Sequence, residues 1–370
     1  MPMLNGQRWL NSLRLKTILF TLAAKLDIQR PLRFLNRTAK VEAFDDELIG
    51  RFTGTIYAAD ILSDDQEAVT YETGKLQLVS YGIPNLKLGQ RISQAILNRM
   101  SAMQYRSPLV TEVNALEQWE MRLAENLVMG VRQRMNAMIC AMQIDSFNYN
   151  RLGLQISGSW GMPADLKVTP ATPWTDPVNA TPISDIQVLR NHALDVYGVL
   201  YDRMTLSHQA FDYMVSTQEF RNRATALYGF AVIPQAVNIG DRLQMEEYAG
   251  RILNMTIEID DAVYNERRAG GAFTRIRTLP ANTVILSNTG DDNNPSVMDW
   301  GNGIVTESLV ASLTGNVPAG LAGEQFGPIG YYTARDDMNP PDVTAWGVAR
   351  GFPRKHVPEV TAVLTVGNFT

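Results

Sequence analysis

The residues able to do chemistry are few, and most of their spacings do not match a known site. Acidic pairs stand at Asp260 with Asp261 and, in TGDDNNP, at Asp291 with Asp292. Two carboxylates can divide general-acid and general-base work, or ligate calcium through oxygen. Adjacent acids among Gly, Asn and Pro are also the ordinary composition of solvated turns, where short polar side chains bond their own backbone. Ser157 and Ser159 flank Gly158 without completing the Gly-x-Ser-x-Gly elbow that exposes a nucleophile. No P-loop pattern occurs, and Gly301-Asn302-Gly303 lacks the glycine that would continue a dinucleotide fingerprint. With His192, His208 and His356 as the only histidines and Cys140 as the only cysteine, a histidine-based metal site is short of ligands and no intrachain disulfide can form. One enzymatic reading is left, a carboxylate-dependent hydrolase acting through Asp260 and Asp261. The residues imply no catalytic site, cofactor or metal beyond it.

The elements that must position any site are organised around one stretch, Thr111 to Asp145, which has no proline and a single glycine, Gly130. Trp119, Leu123, Leu127, Val131, Met135 and Ile139 recur every four residues, and Leu116, Met138 and Met142 widen the stripe. That spacing predicts one long helix with an apolar face along its length. Asn114 followed by Glu117 reads as an N-cap with its reciprocal partner, so the helix is expected over 114–144. At about 1.5 Å per residue it would reach roughly 45 Å, more than an ordinary core helix needs. A strut laid across a sheet fits better than a coiled coil, because heptads are not sustained.

Charge is divided unevenly. Residues 1–40 hold Arg8, Arg14, Lys16, Lys25, Arg30, Arg33, Arg37 and Lys40 against Asp27 alone, so this arm carries +7 and the rest of the chain −12 of the net −5. A basic arm on an acidic body can bind nucleic acid, an anionic membrane or the body of a neighbouring copy, and docking on protein is the favoured outcome. No apolar run reaches the eighteen or so residues that span a bilayer, so an integral membrane protein is not expected, and with the arm read as docking on protein no membrane is counted among the partners.

Along the chain, residues 50–84 alternate as strands about a polar tip, SDDQEA, and read as a projecting hairpin. A short helix is expected at GQRISQAILNRMSA before Pro108. RLGLQISGSW and DLKVTPATPW read as strands, Pro182 opens a helix carrying Ile183, Ile186, Leu189, Leu194 and Val196, and Ser207 caps another. From Gly229 onward short strands are expected, RILNMTIEID among them, with a glycine-rich surface loop at 314–330. The final alternation, HVPEVTAVLTVGN, is long enough to pair with an earlier strand, such as 152–157.

The order of these parts resembles the Hong Kong 97 fold of tailed-bacteriophage major capsid proteins, and within it most closely the lambda-like major head proteins. The phrases that carry the resemblance are YGIPNLKLGQRIS, the long helix, WTDPVNATPISDI, DRMTLSHQAFDYM and WGVARGFPRKHVPEVTAVLTV. It implies an α+β chain with an N-terminal arm (1–45), an E-loop hairpin (50–85), a P-domain (86–180) built on the spine helix and a sheet, an A-domain (181–345) and a strand returning to the P-domain (346–370). It further implies pentamers and hexamers of the chain in an icosahedral head shell around double-stranded DNA, with scaffolding, portal and decoration proteins as partners. The chain would then belong to the virion and assemble in the host cytoplasm. Arg8, Arg14, Lys16, Arg30, Arg33 and Arg37 would be the assembly charges of the arm. An encapsulin-type nanocompartment shell is the alternative within the same fold.

Overall fold

The structure, a computed structural model, describes residues 38–40, 46–53, 75–82, 84–93, 95–96, 110–151, 154–228, 239–267, 273–288, 298–302, 304–305, 325–326, 329–335 and 342–367. The arm charges Arg8, Arg14, Lys16, Arg30, Arg33 and Arg37, the pair Asp291 and Asp292, and the hairpin tip lie outside them. In chain order the strands before the long helix are β1 (Thr38–Lys40), β2 (Asp46–Thr53), β3 (Lys75–Gly82) and β4 (Asn85–Arg91). The helix α1 (Val110–Ile144) follows, then the hairpin β5 (Phe147–Arg151) and β6 (Leu154–Gly158) and the short β7 (Lys167–Val168). Next come α2 (Pro182–Tyr197), β8 (Arg203–Leu206), α3 (His208–Ser216), α4 (Gln218–Tyr228) and α5 (Ile239–Leu253). The rest is β: β9 (Thr256–Ile259), β10 (Val263–Arg267), β11 (Phe273–Arg277), β12 (Thr283–Ser287), β13 (Met298–Asn302), β14 (Ile304–Val305), β15 (Gln325–Phe326), β16 (Ile329–Arg335), β17 (Asp342–Lys355) and β18 (Thr361–Thr365).

Two sheets carry the architecture. In the first, β17 is the shared strand: its N-terminal half bonds β16 and β4, and its C-terminal half bonds β13, which β1 extends in parallel. The helix α1 lies against this sheet, with Leu123 and Leu127 packed on Ile92 and Ala345. Further along, Val131, Met135, Ile139 and Met142 pack on Leu86, Trp160, Ile285, Met298 and Ala349. Trp119 is partly buried at the near end of the stripe, and Leu127 and Ile139 are fully buried. The second sheet runs β7-β18-β12-β8-β9 and is covered by the apolar faces of α2, α3, α4 and α5 around Trp174, Tyr201, Phe211 and Phe220. Ile144, at the end of α1, packs against both cores.

Several expectations are corrected. The helix begins at Val110, two residues after Pro108, so Asn114 lies inside it and cannot be its N-cap. NLKLGQR is the strand β4, paired with β17, and takes up residues that were expected to open a short helix. Its alternation is short because Leu86 and Leu88 are followed in phase by Gln90, so no third apolar residue marks the strand. The closing strand β18 pairs with β12 and β7; the 154–158 segment pairs with β5 instead, since a tight connection offers it a closer partner. Arg251–Leu253 is the end of α5, a helix whose GDRLQMEEYAG sequence lacks a strong apolar stripe. Within the glycine-rich 314–330 segment, Gln325–Phe326 and the start of β16 are strands. Leu194 and Val196 of α2 are exposed, while Ala193 takes the buried position.

Candidate assembly surfaces

Close approach of helix and sheet explains the glycines at their joint. A Cβ on Gly347 of β17 would lie 3.0 Å from the carbonyl oxygen of Leu127, so the strand backbone touches the helix backbone there. On the helix side, a Cβ on Gly130 would lie 2.4 Å from a methyl of Leu88, which crosses the helix at that point. Gly89 is the register partner of Trp346 and leaves room for the indole over it; Lys87 caps the outer face of that ring at 4.8 Å.

Where α1 ends, Asp145 adopts a left-handed φ of 57°, a conformation Asp tolerates through local hydrogen bonding. Its carboxylate then collects donors from the next segment: the Trp160 backbone N–H, Ser159 Oγ at 3.0 Å and Lys167 Nζ at 2.8 Å. One buried carboxylate thus joins the end of α1 to β7 at the edge of the second sheet.

The residues that suggested chemistry stand in different environments and do not form one site. Asp260 is buried in the turn after β9, accepting from the Ala262 N–H at 3.0 Å. Asp261 faces outward and is gripped by His208 Nδ1 at 2.7 Å and by Arg277 at 3.0 Å. Its partial burial favours the protonated acid, but the His208 bonds and the Arg277 charge outweigh this and hold the carboxyl below its ordinary range. It is a charge-paired surface acid joining α3 to β11. Ser159 donates to Asp145, so it is a positioning group. Cys140 is fully buried on α1; desolvation, with the Asp260 charge adding to it, pushes its thiol pKa up, away from reactivity. Among the described residues no group of His, Cys, Asp and Glu has the arrangement to hold a metal ion.

Three surface features have no counterpart in the sequence pattern. Along α2, Val188 is 68% exposed, and Leu194 and Val196, on opposite flanks of the helix, are exposed as well. Beside it, between α2 and β7, is a half-open groove of about 350 Å³ lined by Val168, Pro170, Val188, Asp165, Asp185 and His192 among others. The Asp165 carboxylate pairs with His192 at 2.7 Å and accepts from the Tyr197 hydroxyl, and these bonds, that to His192 foremost, lower its pKa. Asp185 is half buried, which raises its pKa against the opposing bond from Trp174 Nε1. Elsewhere, Phe273 opens β11 with 73% of its surface exposed. Exposed apolar residues were legible in α2 only as a helix richer in apolar positions than one face can bury.

The fold now has relatives. The sequence pattern of the family described as phage major capsid protein E matches residues 48–295, well over half of the chain, and the chain belongs to that family. Among solved structures, the putative capsid protein of a prophage of E. coli CFT073 is similar at TM-score 0.58 and 14% identity, over 95% of this chain and 99% of that one. A phage-related protein from Bordetella bronchiseptica RB50 is similar at TM-score 0.50 and 13% identity, over 94% of this chain and 95% of that one. No curated protein sequence matches the chain. The architecture is the Hong Kong 97-type α+β capsid fold, and the chain is a phage major capsid protein, a structural component of the head shell.

Proposed function

We infer that this chain self-assembles as pentamers and hexamers into an icosahedral shell that encloses the double-stranded DNA of a tailed bacteriophage. The observation that carries the reading is the family match over residues 48–295. The division of labour follows the resemblance: the basic arm (1–45) and the hairpin (50–85) reach over neighbours, 86–180 with α1 forms the peripheral unit, 181–345 the axial unit, and 346–370 returns to the periphery. The register of β2 with β3, Asp46 to Gly82 through Thr53 to Lys75, supports a projecting two-stranded ribbon as the base of that hairpin. Such a ribbon is marginal alone and gains stability by lying on other protein. Opposite charges on arm and body favour the same reaching contacts. Scaffolding, portal and decoration proteins are the expected partners, with assembly in the host cytoplasm. The narrower likeness to lambda-like major head proteins rests on the sequence phrases.

Electron microscopy of the purified full chain, with sedimentation to count the population, tests this. Closed shells or capsomer rings, and nucleic acid absorbance in heads recovered from infected cells, are expected. Chains that stay monomeric even with the companion head proteins supplied would defeat the reading. Shells holding protein cargo and no DNA would favour the encapsulin-type alternative.

A further inference from the structure

The second sheet carries two unmatched features at opposite edges. Its strand order is β7-β18-β12-β8-β9. The groove lies at the β7 edge, between that strand and α2, and the β10–β11 hairpin leaves the sheet from the end of β9, the other edge strand, and returns into β12, with β10 tied to α1 by Arg134 and Glu266 at 2.6 Å. The groove is apolar along Val168, Pro170 and Val188; its acids are Asp165, bonded to His192 and Tyr197, and Asp185, bonded to Trp174, and no Lys or Arg lines it. The hairpin sequence, Val263 to Arg277, has four arginines against one Glu. Phe273 and Arg275 are both exposed and, two residues apart on one strand, share a face. An aromatic anchor beside an arginine is the side-chain chemistry that dominates protein interfaces. An acid-rimmed apolar groove is its complement in shape and charge. Within one chain Phe273 and Val188 are both largely exposed, so neither is covered by other parts of the same copy.

We propose that the β10–β11 hairpin of one copy docks, through Phe273 and Arg275, into the β7–α2 groove of the next copy. The contact is head-to-tail: each copy offers a hairpin at one edge and a groove at the other, so repetition generates a ring that closes when the rotation allows. Val188, which lines the groove, loses its exposure in that ring. The partner is a second copy of this chain, and the proposal rests on the shell reading.

The test is a full chain carrying Val188→Cys and Phe273→Cys, assembled and then mildly oxidised, beside each single variant. Cys140 is buried and does not compete. The expected result is a reducible ladder of oligomers ending at ring size from the double variant, and no dimer from either single one. In parallel, Phe273→Asp, at an exposed position, keeps its unfolding midpoint and raises the concentration needed for ring formation at least about tenfold. Dimers from Val188→Cys alone would mean that grooves face each other and would overturn the proposal. Rings or shells that form without a ladder, and are indifferent to Phe273→Asp, overturn it while leaving the shell reading intact. A wild-type chain that forms no ring or shell under any condition ends both.

Discussion

At the residue scale, two glycines at one joint make opposite demands. An alanine at Gly347 sets its Cβ 3.0 Å from the Leu127 carbonyl oxygen and 3.2 Å from its carbon, both backbone atoms of a helix fixed along its whole length. Nothing there can give way, and Gly347→Ala is expected to lower stability by about 1–3 kcal/mol. Gly130→Ala meets only a terminal methyl of Leu88, whose side chain is 41% exposed and free to rotate outward. Removing a mid-helix glycine favours the helix by roughly 0.5–1 kcal/mol, so this variant should be neutral or slightly more stable. Urea midpoints of the two variants check the pair, and equal losses would refute the backbone-contact account. Asp261 adds a pH-dependent term. Its folded-state pKa is depressed, so its stabilisation is present above the ordinary carboxylate range and is lost as pH falls through the lowered value. Because its side chain is 37% exposed, the effect is small, and Asp261→Asn should cost about 0.2–1 kcal/mol near neutrality. The deficit should shrink towards zero in acid; a deficit unchanged once the carboxyl is protonated would show that charge pairing is not its source.

Elements were legible where a residue enforces a local geometry and obscure where only tertiary contact decides. The stripe from Trp119 to Ile139 gives α1 its buried face, Pro182 opens α2, and the Ser207 hydroxyl accepts from the Ala210 N–H at 3.1 Å to cap α3. One helix was expected from Ser207 onward, but Thr217 breaks it, its hydroxyl donating to the Met214 carbonyl at 2.8 Å to end α3 and accepting from the Phe220 N–H at 3.4 Å to start α4. β4 was hidden because its regularity depends on Trp346, which is distant in sequence, lying over Gly89. The groove was hidden for the same reason, since α2 and β7 approach one another only through the β18 pairing of β7 and the shared core. Asp145 belongs to this class too: its spacing from Ser159, Trp160 and Lys167 matches no motif, yet it ties α1 to the second sheet. Asp145→Ala leaves three donors without their acceptor and puts a Cβ residue at positive φ with no local bond to support it. The expected loss is about 3 kcal/mol or more, combining an unsatisfied buried group with left-handed strain. Asp145→Asn, which tolerates that φ and keeps the shape, should lose less. Matching losses in the two variants, read from denaturant midpoints, would mean that the carboxylate contributes nothing beyond its φ.

At the scale of the whole molecule, charge separation is the property that single residues do not express. Residues 1–40 carry +7 and the remaining chain −12, so neighbouring copies attract when the arm of one lies over the body of another, while bodies alone repel. Such attraction acts over about a Debye length, roughly 10 Å at 0.1 M salt and 3 Å at 1 M, so it speeds encounter most at low ionic strength. Two consequences separate an assembly arm from a folding element. Deleting residues 1–37, which spares β1 and its parallel pairing with β13, should leave the thermal midpoint of the subunit nearly unchanged. The same deletion should abolish or greatly slow shell formation, and should remove the salt dependence of what assembly remains. Light scattering during assembly across a salt series, on the full and shortened chains, reads both effects at once. If the shortened chain unfolds at much lower temperature, the arm is part of the subunit's own fold. If it assembles at the same rate with the same salt slope, the basic charges of the arm do not drive association, and the hydrophobic contacts between copies carry it alone.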